Sequence, residues 1–597
     1  MRFAIFLSMV LIAADEPLGS QLYKKHCASC HEAAGNNRIP PQSALRQLTS
    51  AGILKAMEVG VMKPQSAGMS RSERRAVSAW LGKAGASSIA ADRLKNRCAP
   101  ALQAAVGGEW TSWGGASNLR YQTAPGLSAP DVPKLKLKWA FGVPDATVIR
   151  SQPAVANGRV YFGTQEGVIY SLDAATGCTH WATEVTSQVR SGIVIANGNV
   201  FAGDVSGRIY SINATSGVPN WQVKADEHPA TMVTSTPAYH DGKLYVGVAS
   251  YEEAIAVTPG YACCTFRGSA MALDAATGKV LWKTYAIGDV PKPRGVTKKG
   301  AKSIGPSGAG IWAAPTIDAA ARLVYFMTGD NYSDPPTLTS DALLALNMDT
   351  GKIEWSKQYL ANDAYNSSCP LPDGVNCPDS NGPDFDFGAS AILIEKPRLL
   401  LIAQKSGEVR GVDPAKKGEI VWNTRIGKGG VLGGIQWGPA SDGKMMYVAL
   451  SDVAFTRRRI GNGNDVRVEN DPKAGGGLFA LRADNGERMW MAAPAVCGDR
   501  PLCSPAQSAA VTAMPGVVFS GAMDGHLRAY SMSDGKVIWD FDTVRDFATI
   551  NGVAARGGGI DGGGAVVAGG MVFAGSGYAQ FGGMPGNVIM AFSVDGR

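Results

Sequence analysis

The chain has 597 residues, of which 45% are hydrophobic and 18% charged. That balance excludes a disordered chain, and the length exceeds one ordinary core, so two domains are the simplest expectation. The formal net charge of +7 is modest for this size and no basic helix or tail concentrates it, which argues against a nucleic-acid partner.

The chain opens "MRFAIFLSMVLIAADEP". Arg2 supplies a positive start, Phe3 to Ile12 an apolar run, and Ala13-Ala14 a small-residue cleavage site. Residues 1–14 are therefore predicted to be a signal peptide, with the mature protein in the periplasm. Ten cysteines suit such an oxidising compartment. The apolar run is too short to span a bilayer, and no later segment has the length and apolarity of a transmembrane helix.

Residues 15–86 read as an all-α domain. "QLYKKHCASCHEAAG" and "MSRSERRAVSAWLGKAG" carry apolar residues at helical spacing, and Ser70 with Glu73 forms a capping-box pattern. Within the first stretch lies Cys27-Ala-Ser-Cys30-His31. This spacing lets two thiols add to the haem vinyls while His31 ligates the iron, the pattern of haem c in a cytochrome c domain. A thioredoxin-like motif would need a βαβ context, and a zinc site a second Cys or His pair nearby. The sixth ligand is expected to be a methionine. Met62 follows a Gly turn and precedes Lys63-Pro64, Met69 is its rival, and Met57 suits a helix face. A single haem is a one-electron relay, so the rest of the chain should hold a two-electron centre or recognise a partner.

Residues 87–109 are rich in small residues and read as a linker. From 110 to 597 the chain repeats. "YSLDAATGCTHW" ends at Trp181 and "YSINATSGVPNW" at Trp221; related units end at Trp282, Trp355, Trp422, Trp490 and Trp539. Each is strand, Asp/Asn-rich turn with Gly, strand, Trp, and hairpin patterns lie between them. Such periodicity predicts an all-β propeller. "KLKLKWAFG" at Trp139 has the end strand without a turn, and the C-terminal "VIMAFSVDGR" has the turn without a Trp. Joined, they complete an eighth blade. The predicted fold is thus an eight-bladed propeller with an N-terminal all-α cytochrome c domain.

These repeats resemble the quinoprotein alcohol dehydrogenases, which bind pyrroloquinoline quinone (PQQ) and a metal on the propeller axis. The N-terminal haem domain is similar to the cytochrome c-type members that oxidise polyvinyl alcohol. The resemblance implies PQQ contacts at Arg190 in "QVRSGIVIANG", Thr234 in "MVTSTPAYHDG", Trp312 in "GIWAAPTID" as the flat quinone floor, Lys405 in "AQKSGEVRGVD" and Trp437 in "GGIQWGP". It implies Glu252 as a metal ligand, with Glu253 one step away, and Asp330 or Asn331 as another. The metal is Ca2+ or a lanthanide. The catalytic base falls on Asp384 or Asp386 in "GPDFDFGAS". By the same resemblance the chain oxidises an alcohol, secondary or polymeric alcohols such as polyvinyl alcohol included, and passes electrons through haem c to an external cytochrome or quinone acceptor. The alternatives are a PQQ-dependent sugar or aldose dehydrogenase and a non-catalytic envelope scaffold.

The remaining cysteines pair as Cys369 with Cys377, Cys497 with Cys503, and Cys98 with Cys178, which leaves the adjacent Cys263 and Cys264 for each other. The family carries a vicinal disulfide against the quinone, but its register lies just before Arg190, where this chain has no cysteine. Cys263 and Cys264 are expected either to reach PQQ from a different blade or to shape the pocket rim.

Overall fold

The computed structural model describes residues 16–32, 39–58, 61–63, 65–66, 68–83, 95–99, 108–258, 260–371, 374–459 and 466–596. The expected signal peptide and most of the linker lie outside the described residues.

The N-terminal unit contains helices Leu18–His26, Ala28–His31, Gln42–Leu45, Ser50–Glu58 and Arg71–Leu81. Their apolar positions face inward: Leu22, Tyr23, Ile53, Met57, Met69, Val77 and Leu81 form one core. The last helix begins with a capping box in which the Glu73 amide donates to Ser70 Oγ (3.2 Å) and the Ser70 amide donates to Glu73 Oε2 (2.7 Å). Both donors would otherwise be orphaned at a helix start.

The remainder forms a ring of eight antiparallel sheets, seven of four strands and one of five, the extra strand being Thr231–Met232. In chain order they span 154–184, 194–224, 238–285, 316–358, 392–425, 440–492 and 512–542, here blades 1 to 7. Blade 8 joins three C-terminal strands to Lys136–Gly142, with Trp139 opposite Ala591. Closure by both ends of the domain ties the first strand to the last through a main-chain ladder.

The Gly-to-Trp repeat has a packing cause. Each repeat Trp lies over the turn of the next blade. Trp282 Nε1 donates to Met348 O (3.0 Å), and its ring covers Gly351. Gly351 has φ +69°, and a Cβ there would fall 2.5 Å from the indole, so the turn and its neighbour together demand glycine. The ring closes the same way, with Trp539 Nε1 donating to Leu135 O (3.1 Å). Between blades 8 and 1 the facing strands bury Phe141, Phe573, Phe162 and Tyr170 in one cluster.

Two further features shape the axis. Segment 110–122 bonds to the innermost strands one after another. Trp110 pairs with Val155 in blade 1, Thr111 O accepts from Ile195 in blade 2, and Ala116, Ser117 and Leu119 carbonyls accept from Ile317, Leu393 and Ser441 in blades 4, 5 and 6. Arg120, fully buried, donates to the carbonyls of Trp113, Val511 and Gly563. One end of the axis is thereby filled by the chain itself. At the other end sits the helical unit. Thr49 donates through its amide (3.1 Å) and hydroxyl (2.8 Å) to Asp145, Lys55 Nζ donates to Glu166 O (3.0 Å), and Ala44 packs with Val148, Met523 and Tyr578.

Candidate active site

A cavity of about 250 Å³ runs without interruption from the helical unit to the propeller axis. Its upper wall includes His31, Ile39, Leu45, Leu48 and Met62; its lower wall includes Trp312, Asp330, Asp386, Lys405 and Trp437.

In the helical unit His31 is buried, and its Nδ1–H donates to Pro40 O (2.7 Å). That bond fixes the tautomer and leaves Nε2 for a metal. Burial lowers the His31 pKa, which favours the neutral, ligating imidazole. Cys27, one turn before it, and Cys30, the preceding residue, are free thiols. Met62 borders the cavity with His31, whereas Met69 is a buried core residue. These residues fit a covalently attached haem.

In the propeller the wall has a simple origin. Innermost strands start in one register, marked by pairs such as Ala154–Tyr161, Val194–Phe201, Ala238–Tyr245 and Thr316–Tyr325. The residue four before each start points to the axis. In blades 1 to 4 it is Arg150, Arg190, Thr234 and Trp312; in blades 6 and 7 it is Gln436 and Ser508, and all six line the cavity. In blades 5 and 8 it is Gly388 and Gly562. Gly388 is required: a Cβ would lie 1.9 Å from Trp312 Cη2, so the indole extends over the blade 5 backbone. Trp437 meets Trp312 edge-on, with centroids 5.4 Å apart at 78°.

The charged groups come from the loops between second and third strands or between blades. Lys405 Nζ donates to Asp384 Oδ1 (2.8 Å) and Asp386 Oδ2 (2.7 Å). The Asp330 amide donates to Asp386 Oδ1 (2.8 Å). Ligand oxygens of Asp330, Asp384 and Asp386 lie within 4.8 Å of one another, all buried. Burial raises the Asp330 pKa well above the usual range, and repulsion from Asp386, Asp384 and Glu253 raises it further. Asp330 Oδ2 and Thr234 Oγ1 are buried without a hydrogen-bond partner. One lysine against this set of carboxylates leaves an excess of buried negative charge. A hard cation with oxygen ligands would satisfy it. Asp384, at φ +57°, is held from behind, since Asp363 accepts from the amides of Asp384 (3.1 Å) and Phe385 (2.8 Å).

Several expected residues stand elsewhere. Glu252 does not border the cavity. Its carboxylate accepts from Tyr261 Oη (2.7 Å) and from the amides of Thr265 (2.8 Å) and Phe266 (2.7 Å), pinning the 260–266 loop. Burial acts to raise its pKa, but these bonds and His228 hold it below the usual range. Glu253, the next residue of the short helix Glu252–Ile255, lines the cavity instead. Asn331 is likewise engaged away from the cavity: Nδ2 donates to Ser307 O (2.9 Å) and Oδ1 accepts from the Thr337 amide (2.8 Å). Asp330 is the member of that pair on the cavity. Cys263 and Cys264 form their disulfide, but they sit in a core cluster with Phe266 and Tyr332. Tyr332 lines the cavity, whereas neither cysteine does, and Cys263 Sγ lies 4.0 Å from Tyr332 O. The other three expected disulfides are present.

Sequence reasoning missed Arg150, Ser508 and Asp561, which line the same cavity. The signal was available for the first: "IRSQPAV", "VRSGIVI" and "VTSTPAY" align Arg150 with Arg190 and Thr234.

Comparison with known proteins adds the following. Residues 136–289 and 398–585 match the family model described as outer membrane protein assembly factor BamB, and residues 14–81 match that of cytochrome c oxidase, cbb3-type, subunit III. A polyvinylalcohol dehydrogenase of Pseudomonas sp. is 38% identical, covering 97% of this chain and 94% of that protein. One from Sphingopyxis sp. strain 113P3 is 36% identical, covering 98% and 94%. Among solved structures, the quinohemoprotein alcohol dehydrogenase ADHIIG of Pseudomonas putida HK5 superposes with a TM-score of 0.60 at 18% identity, covering 86% of this chain and 83% of that one, a likeness of fold.

Proposed function

Because this chain belongs to the polyvinylalcohol dehydrogenase family, we propose that it oxidises secondary hydroxyls along a polymeric alcohol, with the Asp384–Asp386 pair taking the proton. It is a PQQ-dependent alcohol dehydrogenase with a cytochrome c domain, and it passes electrons from its alcohol substrate to an acceptor. Bound PQQ would supply the two-electron acceptor, a metal the Lewis acid and haem c the one-electron relay.

The observation that carries the reading is the Lys405-bridged carboxylate set on a cavity that also reaches His31. Asp386 borders the cavity, so it is the member within reach of an alcohol O–H. Lys405 pairs with both carboxylates and places positive charge 5.6 Å from the Trp312 ring, where negative charge would build on a stacked quinone. Trp312 offers the flat floor, Arg190 and Thr234 the polar edge. Glu253, Asp330, Asp384 and Asp386 supply oxygen ligands for Ca2+ or a lanthanide. Cys27, Cys30, His31 and Met62 hold the haem. A non-catalytic envelope scaffold has no use for these charges or for the thiol pair before His31.

We place the protein in the periplasm, after removal of residues 1–14, with a soluble cytochrome or the quinone pool as acceptor. No described helix is long and apolar enough to cross a membrane. The deciding experiment loads the full chain with PQQ plus Ca2+, or PQQ plus a lanthanide, and adds an alcohol panel that includes polyvinyl alcohol and aldoses. Haem reduction is followed spectrally. Reduction by the polymer and by secondary alcohols is expected; no reduction by any alcohol ends the reading.

A further inference from the structure

Arg150 occupies in blade 1 the axial position that Arg190 occupies in blade 2, four residues before the innermost strand. It is 8% exposed, and it lines the cavity. Its Nη1 donates to the neutral amide of Gln580, its guanidinium stands 5.5 Å from the Tyr578 ring centroid, and its Nε is buried with no hydrogen-bond partner. Among the described residues it makes no ion pair. A guanidinium this deep, with one neutral partner, is costly unless an anion completes it.

Nearby Asp561 is committed elsewhere: Oδ1 accepts from Trp437 Nε1 (3.0 Å) and Oδ2 from Ser508 Oγ. It steadies Trp437, on which Arg190 lies at 5.0 Å. Two guanidinium groups therefore face one wall of the cavity, opposite the carboxylate set around Lys405. PQQ carries three carboxylates, more than Arg190 alone can pair. We propose that Arg150 is a second arginine anchoring a PQQ carboxylate, so that the cofactor is gripped from blades 1 and 2 together. Guanidinium matches carboxylate in a planar two-point bond, which orients the ring system as well as holding it. The inference rests on the PQQ reading above.

The test uses the full haem-loaded chain freed of PQQ, with binding followed by quenching of tryptophan fluorescence. Titrants are PQQ and its trimethyl ester, which keeps the ring system and removes the charges. Wild type should bind PQQ far more tightly than the ester. Arg150→Gln should raise the Kd for PQQ about 10- to 100-fold and leave ester binding little changed, while Arg150→Lys recovers part of the loss. Equal affinity of wild type and Arg150→Gln for PQQ overturns the proposal. So does a loss of equal size for PQQ and ester, which would mean that Arg150 only shapes the wall. An unchanged haem spectrum and circular dichroism exclude misfolding, and Arg150→Lys supplies the decision if Arg150→Gln does not fold. If wild type itself binds no PQQ, the functional reading falls first and this proposal with it.

Discussion

Asp384 and Asp386 share one lysine, yet only Asp386 borders the cavity. Asp386→Asn should lower kcat by about a hundred- to ten-thousand-fold with PQQ still bound, and Asp384→Asn should cost less. Steady-state kinetics of both variants, each checked for PQQ content, decide the order. Behind them Asp341 is fully buried, and neither of its carboxyl oxygens has a hydrogen-bond partner. Burial raises its pKa well above the usual range, and Asp363, Asp386 and Asp384 add to the shift. The sign follows from linkage. Below the ordinary carboxylate range both folded and unfolded forms are protonated. As pH rises the unfolded form ionises first, so stability falls until the raised folded value is passed. Asp341→Asn should remove that decline and raise the Tm of the metal-free protein more at pH 7 than at pH 4. A Tm gain that does not depend on pH would refute it. At this scale the sequence was legible only to within one residue. Glu252 and Glu253 sit on one helical turn, where neighbours point about 100° apart. Asn331 begins the strand Asn331–Ser333, whose alternation turns it from the face that Asp330 occupies. Spacing in a loop carries no information about either turn.

The blade is the element that was read best. Its Gly and Trp recur because each Trp roofs the next turn, a local rule repeated at a fixed interval. The eightfold closure was legible for the same reason, through the unmatched pieces at Trp139 and at the C-terminus. What the repeat did not disclose was its own axial position, because that position is occupied by arginine, threonine, tryptophan, glutamine, serine and glycine in turn. Function has diversified it while the strands stayed alike. Gly388 is its most constrained member. Gly388→Ala should push the Trp312 indole off its place and weaken PQQ binding about tenfold, measured by titration of the apoprotein. Unaltered affinity would mean that Trp312 is not the quinone floor. The vicinal disulfide lies off the cavity, in a loop that the Glu252 carboxylate holds.

At the scale of the whole molecule, the haem unit and the propeller meet through few polar contacts among the described residues, of which the two from Thr49 to Asp145 are the most direct. Losing both should weaken docking by about 2 kcal/mol. Asp145→Ala should therefore slow haem reduction in a stopped-flow mixing experiment, while turnover with a dye that takes electrons directly from PQQ stays near wild type. An unchanged haem rate would show that docking does not depend on Asp145. The disulfide Cys98–Cys178 adds a constraint of another kind. It fastens the chain to blade 1 only 15 positions after Lys83, the last described residue of the haem unit. Even fully extended, that stretch reaches about 50 Å. A haem that leaves its seat is thus leashed to the propeller it serves, and its return is a first-order event. Dilution, which starves any enzyme that must find a separate carrier, leaves this first electron hop at the same rate.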